Sequence, residues 1–310
     1  MRARLALLLL IAGPALAEDA RPLTIILPGS AGSTSDTLMR VLAPAMQARL
    51  GQPVAVVNRD GGSGAIGVQQ AARAAPDGTT LLFTAAYAFS VLPVIRQDLG
   101  YSLASFTPVC RAFVNTMTVV VRPDSPYRSL QDLVTAARAA PGGVSFGHQG
   151  VASVPHLAMM ELAQAAGLRL QDVPFRGDPA VVVEVMAGRI DAGALVLGSL
   201  RGRDLRPLAV FAATRNPALP TAPTALEQGF DVRPASFGGL LAPAGTPAAV
   251  IARLDAACAA AAAEPAYLDA ARRGFQPDGV YADAAAFGAS LKEDVAAKAR
   301  LLAGIVLKPE

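Results

Sequence analysis

Three groups of residues have types and spacings that support chemistry, and each suggests a different one. Gly62-Ser63-Gly64-Ala65-Ile66-Gly67 spells G-x-G-x-x-G after an apolar run, the spacing that lets backbone approach a dinucleotide pyrophosphate. Gly143-Val144-Ser145-Phe146-Gly147 spells G-x-S-x-G, the letters of a nucleophile elbow. His148 and His156 are the only imidazoles that can serve as a base or a metal ligand. Each fails on context. The glycine motif follows the second strand-like run rather than the first, and Leu81 to Ala88 contains no acid to hold a ribose. Ser145 lies inside a strand-like segment instead of on the turn after it, and no histidine occurs beyond His156 to complete a triad. Two histidines without a Cys/His cluster exclude a structural zinc site. The three lysines, Lys292, Lys298 and Lys308, all lie near the C-terminus, which excludes a Schiff-base lysine in the body of the protein. Catalysis is therefore not expected, and neither a cofactor nor a metal is expected.

The elements that would carry these residues alternate. Leu23 to Leu27 reads as a buried strand, followed by the small polar loop Pro28 to Asp36 and a helix with Leu38, Val41, Leu42, Ala45, Met46 and Leu50 at helical spacing. Asp36 suits that helix's first turn and Gly51 its end. Val54 to Val57 and Thr80 to Thr84 read as further strands around a helix from Gly64 to Ala75, a β-loop-α-β-α-β order that implies parallel pairing. Phe106 to Val121 is long and strand-rich, and Ser129 to Ala139 is helical. A second strand-loop-helix unit starts at Val144 to Gly147, with its loop at His148 to Ser153 and its helix at Pro155 to Ala166. Asp172 to Phe175 and Ile190 to Val196 flank a helix at Pro179 to Ala187; Leu205 to Ala212 and Phe237 to Ala242 are later strands. From Pro247 onward the chain is mostly helical, with Asp283 placed to cap the last helix. The expected fold class is α/β: two lobes, each a mainly parallel sheet flanked by helices, with the ligand between them. The expected boundaries are 18–115 with 213–310 for the first lobe and 116–212 for the second.

Composition narrows the setting. Arg2 and Arg4, the apolar run Leu5 to Ile11 and Ala15-Leu16-Ala17 before Glu18 form the three parts of a secretory signal, with cleavage expected after Ala17. That apolar run is shorter than a membrane span requires. Without Arg2 and Arg4 the 27 basic residues fall to 25 against 24 acidic, a net charge of +1, which leaves no footprint for nucleic acid. Cys110 and Cys258 are the only cysteines, and export would let a disulfide persist. Spacing does not decide their pairing. A strand-like context for one and an Ala-rich helix for the other favour two buried free thiols.

Many short segments, in order, resemble the periplasmic solute-binding receptors of tripartite tricarboxylate transporters, the Bug receptors. Leu27-Pro28 through Asp36 resembles that family's first ligand loop, and GQPVAVVNRDGGSGAIG (Gly51 to Gly67) its GQPVVVENRPGAGGxIG block. Ala74 to Leu82, Phe146-Gly147 with Gly150, Ser153 and His156-Leu157, and Val173 to Gly177 are similar to its KAAPDGYTLL, FGSSGxGSxxHL and VPYKG segments. Gly188-Arg189-Ile190-Asp191, Leu205 to Val210, Pro220 to Thr224 and Leu240 to Pro247 continue the series over nearly the whole mature chain. The resemblance implies a Venus-flytrap fold of the type II periplasmic-binding kind and a small carboxylated solute, held by backbone amides and hydroxyls. It also implies membrane permease subunits or a sensor kinase as partner, with the receptor a monomer. On the resemblance, the Gly51 to Gly67 block is scaffold.

Departures from that pattern bear on the ligand. Ser33 replaces a glycine, His148 and Gln149 replace two serines, and Phe175 replaces a tyrosine. Leu195 stands where many relatives have an aspartate, so an acid to pair with a ligand ammonium is missing. A dicarboxylate or aromatic acid is expected rather than an amino acid. The expected contacts are Ser30, Ala31, Gly32, Ser33, Thr34 and Asp36 in the first loop, and Thr84, Ala85 and Ala86 beside it. Across the cleft they are His148, Gln149, Gly150, Ser153, Phe175 and Arg176. Capping is the competing role for Ser33 to Asp36. Arg176 serves equally as a carboxylate clamp or a surface residue, and His156 is read as packing or capping. If His148 touches the anion, affinity should fall between about pH 6 and about pH 8.

Overall fold

A computed structural model describes residues 21–303 except Ser30, Gln97 and Asp278. The signal segment, Ser30 and Lys308 thus lie outside the described residues. The first unit runs β1 (Leu23–Leu27), α1 (Thr34–Leu50), β2 (Val54–Asn58), α2 (Ala65–Ala72) and β3 (Thr80–Ala85). Two short helices that the sequence did not suggest, α3 (Tyr87–Ser90) and α4 (Leu92–Ile95), precede β4 (Phe106–Val114). The second unit runs β5 (Met117–Val121), α5 (Leu130–Ala139), β6 (Ser145–His148), α6 (Val154–Ala166), β7 (Gln171–Pro174), α7 (Asp178–Met186), β8 (Ala192–Val196) and β9 (Arg206–Phe211). The chain then supplies β10 (Phe237–Pro243), α8 (Ala248–Ala262), α9 (Pro265–Arg273) and α10 (Ala284–Ala303).

These strands form two five-stranded sheets, β2-β1-β3-β10-β4 and β7-β6-β8-β5-β9. In each, three parallel strands meet one reversed strand, β10 or β5, which pairs antiparallel on both sides. The step from β1 to α1 and that from β6 to α6 are alike. A strand ends in a small loop, a serine caps the next helix and a left-handed glycine ends it: Ser33 and Gly51 for α1, Ser153 and Gly167 for α6. α5 carries a reciprocal cap between Ser129 and Asp132, and Asp283 accepts from the Ala286 N–H at 2.8 Å as read from the sequence.

The long strand-rich run from Phe106 to Val121 is two strands in two sheets, with Asn115 and Thr116 as the crossing. The return crossing differs from the expected boundary after Ala212. Thr224 bridges Val210, and Ala222, Ala225 and Val232 are buried in the cores of the second sheet. The chain therefore re-enters the first lobe near Ser236, because apolar residues of 219–232 cover β5 and β9. α10 ties the lobes together. Lys298 Nζ lies 3.8 Å from Glu161 Oε1 of α6, and Leu302 packs with Ala152 and Leu157.

The two cysteines are also corrected. Cys110 of β4 and Cys258 of α8 form a disulfide, with Cα atoms 6.6 Å apart. The packing of α8 directly on β4 in the first-lobe core brings them together, and that pairing cannot be read from residue type.

Candidate functional site

The first loop is built around Asp36. Its carboxylate is buried and accepts from the Gly32 N–H (2.8 Å), Asn58 Nδ2 (3.0 Å) and Arg40 Nε (2.9 Å). Burial pushes its pKa up, but the bonds from Arg40, Gly32 and Asn58 outweigh this, and the net shift is downward. Asp36 is thus occupied in folding the loop, while Ser33 Oγ caps the Asp36 N–H at 3.3 Å. Ala31 and Gly32 are exposed on the turn. What remains for a ligand is the first turn of α1, where the N–H groups of Thr34 and Ser35, which open a 17-residue helix, have no partner inside the helix.

Those two residues form part of the wall of a 230 Å³ cavity. It sits at the carboxyl ends of β1 and β3, where open α/β sheets bind ligands. Thr84 and Ala85 line it, and Ala86 lies beneath, buried and bonded through its N–H to Phe237 O at 2.8 Å. Leu27, Val68, Phe83, Ala88 and Phe113 make the apolar part, Tyr87 and Asn115 add polar groups, and Val196 comes from the second lobe. No charged side chain lines it among the described residues. A larger hollow of 520 Å³ shares Asn115 but lies along the crossing segments, lined by Arg111, Thr116 and Arg233 among others. The smaller cavity is the solute-site candidate, because the strand ends and a helix N-terminus converge there.

Sequence reasoning missed several of these residues. Ser63 and Gly64, within the block read as scaffold, are on the cavity wall. Gly64 has φ +91° and a Cβ there would lie 3.0 Å from Pro28 O; at Gly67 a Cβ would lie 2.7 Å from Arg59 O. The glycine-rich turn therefore packs against the ligand loop and also forms wall, which only the tertiary approach of α2 to the Pro28 loop reveals. Asn115 and Val196 were invisible for a similar reason: one is the lobe crossing and the other the end of a buried strand.

The second-lobe residues are arranged differently from the expectation. His148 ends β6 and its side chain is fully buried (0% exposed), stacked on His156 with ring centroids 4.2 Å apart. Gln149 and Gly150 are half-buried in the loop, Ser153 caps α6, Phe175 packs over Gly147, and Arg176 is exposed. None of these lines the cavity in this structure.

His148, His156 and Asp172 do place three potential metal-ligand atoms within 4.8 Å of one another. Their proton pattern argues against a metal. His156 Nδ1 accepts the Ala152 N–H at 3.0 Å, which assigns its proton to Nε2 and removes that ligand lone pair. His148 Nδ1 is 2.8 Å from Gly150 O, which leaves its Nε2 as an acceptor 3.8 Å from Asp172 Oδ2.

Burial lowers the His148 pKa, and burial with the neighbouring His148 lowers that of His156 to about 4. The pH window expected from sequence moves down accordingly. A base whose folded pKa lies below its unfolded value near 6.5 binds protons preferentially when unfolded, so stability is full above about pH 6.5 and falls as pH drops towards 4. We expect thermal melts to lose on the order of 3 kcal/mol from His156 across that window, with solute affinity flat from pH 6.5 to 8. A His156→Gln chain with an unchanged slope would refute this.

The sheets, crossings and cleft define a two-lobed solute-binding protein. Residues 38–306 match the tripartite tricarboxylate transporter family receptor TctC, and the chain belongs to that family. A UPF0065 protein from the tcbD-tcbE intergenic region of Pseudomonas sp. (strain P51) is 35% identical over 258 residues, 80% of this chain and 76% of that one. A TctC solute-binding protein from Polaromonas, solved with no ligand, superposes with TM-score 0.80 at 27% identity, covering 93% of this chain and 99% of the other. An R. palustris protein solved with adipate gives TM-score 0.82 at 25% identity over 94% and 99% of the two chains. The family and fold are those of substrate-binding proteins. No helix of the described residues is long and apolar enough to cross a membrane.

Proposed function

We propose that the chain is an exported periplasmic receptor, processed after Ala17, that captures a small carboxylated solute and hands it to the membrane subunits of a tripartite tricarboxylate transporter. It acts by binding alone. The observation that carries this reading is the cavity at the carboxyl ends of β1 and β3, lined by the first two residues of α1 and by no acidic side chain among the described residues. Thr84, nine-tenths buried on the same wall, adds a hydroxyl. The adipate found in the R. palustris relative agrees with a carboxylate here. Among the described residues the first lobe comprises 21–115 and the chain from about Ser236 to Ala303, and the second lies between. Closure brings the His148 to Ser153 loop and Phe175-Arg176 towards the solute.

Mass spectrometry of small molecules retained by the purified protein, followed by melting with a carboxylate panel, tests the reading. At 100 Kd a true solute should add about 2.7 kcal/mol of stability. A shift with nicotinamide dinucleotides only, or with no carboxylate, overturns it.

A further inference from the structure

We propose that Asp178 is a specificity-determining residue of the second lobe, its Oδ1 accepting a hydrogen bond from a hydroxyl or ammonium group carried by the bound carboxylate. The proposal rests on the carboxylate reading above. Asp178 opens α7 just beyond the carboxyl end of β7 and is only 6% exposed. Its two oxygens are treated unequally. Oδ2 accepts both the Val196 N–H (3.1 Å) and Ser199 Oγ–H (2.6 Å). Oδ1 is buried with no hydrogen-bond partner among the described residues. A buried acceptor left unbonded is destabilising, more so when charged, so such an atom in a binding lobe points to a missing donor.

Position supplies the rest. Val196, which bonds the same carboxyl group, is the second lobe's contribution to the cavity wall; Asp178 is next to it in the bonding and is not itself on that wall in this structure. The neighbouring Leu195, where an acid was read as missing, is fully buried with Val181 and Val185 in the core beneath. An acid at position 195 would thus point away from the cleft, whereas Asp178 stands at the sheet's ligand-binding edge. On this proposal Asp178, rather than residue 195, supplies the acid that the sequence reading found missing. Burial raises the carboxyl pKa of Asp178 against the lowering by Ser199, Val196 and Arg203, and no ion pair to it occurs among the described residues. A solute bearing only carboxylates would bring negative charge towards this oxygen and leave it unpaired. One that also carries a donor would satisfy it, and discrimination against an analogue lacking the donor is the strongest kind a polar site provides.

The test uses matched acids on two frames: succinate, malate and aspartate, and 3-phenylpropionate, phenyllactate and phenylalanine. Calorimetry on the full mature chain should show the donor-bearing acids of at least one frame binding roughly 10–100-fold more tightly than their parent. In Asp178→Asn both Oδ2 partners still donate, so the amide oxygen stays with them and the –NH2 takes the place of Oδ1. The preference should therefore vanish or reverse. Equal affinity within each frame overturns the proposal and leaves the carboxylate reading intact. Retention of the preference by D178N also overturns it, since Oδ1 would then face water or protein. Binding by none of the six overturns both. Should D178N not fold, the matched pairs on the parent chain still decide.

Discussion

Ser35→Asp is expected to abolish solute binding while leaving the folded state as stable as the parent or slightly more stable. Ser35 is the second residue of α1 and lines the cavity beside Thr34. A carboxylate in the first turn interacts favourably with the helix N-terminus, by about 0.3–1 kcal/mol. The same charge meets the solute's carboxylate head-on. At about 4 Å and an effective dielectric near 20 the repulsion is about 4 kcal/mol, roughly a thousandfold in affinity. Ser35→Ala removes a hydroxyl without adding charge and should cost far less, because the backbone N–H groups remain. Calorimetry with the best solute from the panel, paired with a thermal melt, separates the two effects. Affinity unchanged in Ser35→Asp would place the anion elsewhere, and a matching loss of stability would mean that the loop had collapsed. Gly32→Asp, the substitution the sequence alone would suggest, is a poorer probe. Gly32 is exposed with φ +82°, its N–H holds Asp36, and an added Cβ would meet nothing within 4 Å.

Much of the fold was legible because its signals are local. The run Leu23 to Leu27, the cap at Ser33, the stop at Gly51 and the repeated strand-loop-helix at Ser145 to Ala166 are each fixed by neighbours within a few residues. On the first loop, the strand-to-helix step made Thr34 legible as a cavity residue, whereas its neighbour Ser35 was not among the expected contacts, and Ser33 and Asp36 serve the fold of the loop. Residues whose roles depend on distant approach were not. Asn115 lines the cleft because two sheets share one crossing there, and Ser63 because α2 folds back on Pro28. His148 read as a ligand contact because it ends a strand before a helix. Its burial depends on stacking with His156 and on the chain from Gly150 to Ala152 wrapping both rings. Asp178 and Leu195 show the limit most clearly. Sequence register gives which positions could carry an acid, but only the pairing of β8 with β5 and β6 decides which of them faces the core.

Removing the disulfide by Cys110→Ala/Cys258→Ala should lower the free energy of unfolding by about 2–5 kcal/mol. Both sulfurs are fully buried in the first lobe, between β4 and α8, yet the 148-residue separation spans the entire second lobe. That geometry makes the size of the loss informative. If both lobes unfold together, the bond closes a loop of the whole span, and the chain-entropy ceiling is about 5 kcal/mol. If the second lobe outlasted the first, its folded body would already hold its ends together, leaving a much shorter effective loop. Two contacts between the lobes favour a single transition: the Lys298–Glu161 ion pair, and the cluster of Val91, Ala152, Leu157 and Leu302. The loss is therefore expected near the upper end of the range, with one transition in a denaturant titration of either chain. Reductant should leave the native parent unchanged below its melting range, because neither sulfur is accessible, and should shift the midpoint only once unfolding exposes the bond. A double-alanine chain destabilised by less than about 1 kcal/mol would show that the lobes unfold separately or that the bond does not form in the native protein, and thiol counting in denaturant distinguishes these two cases.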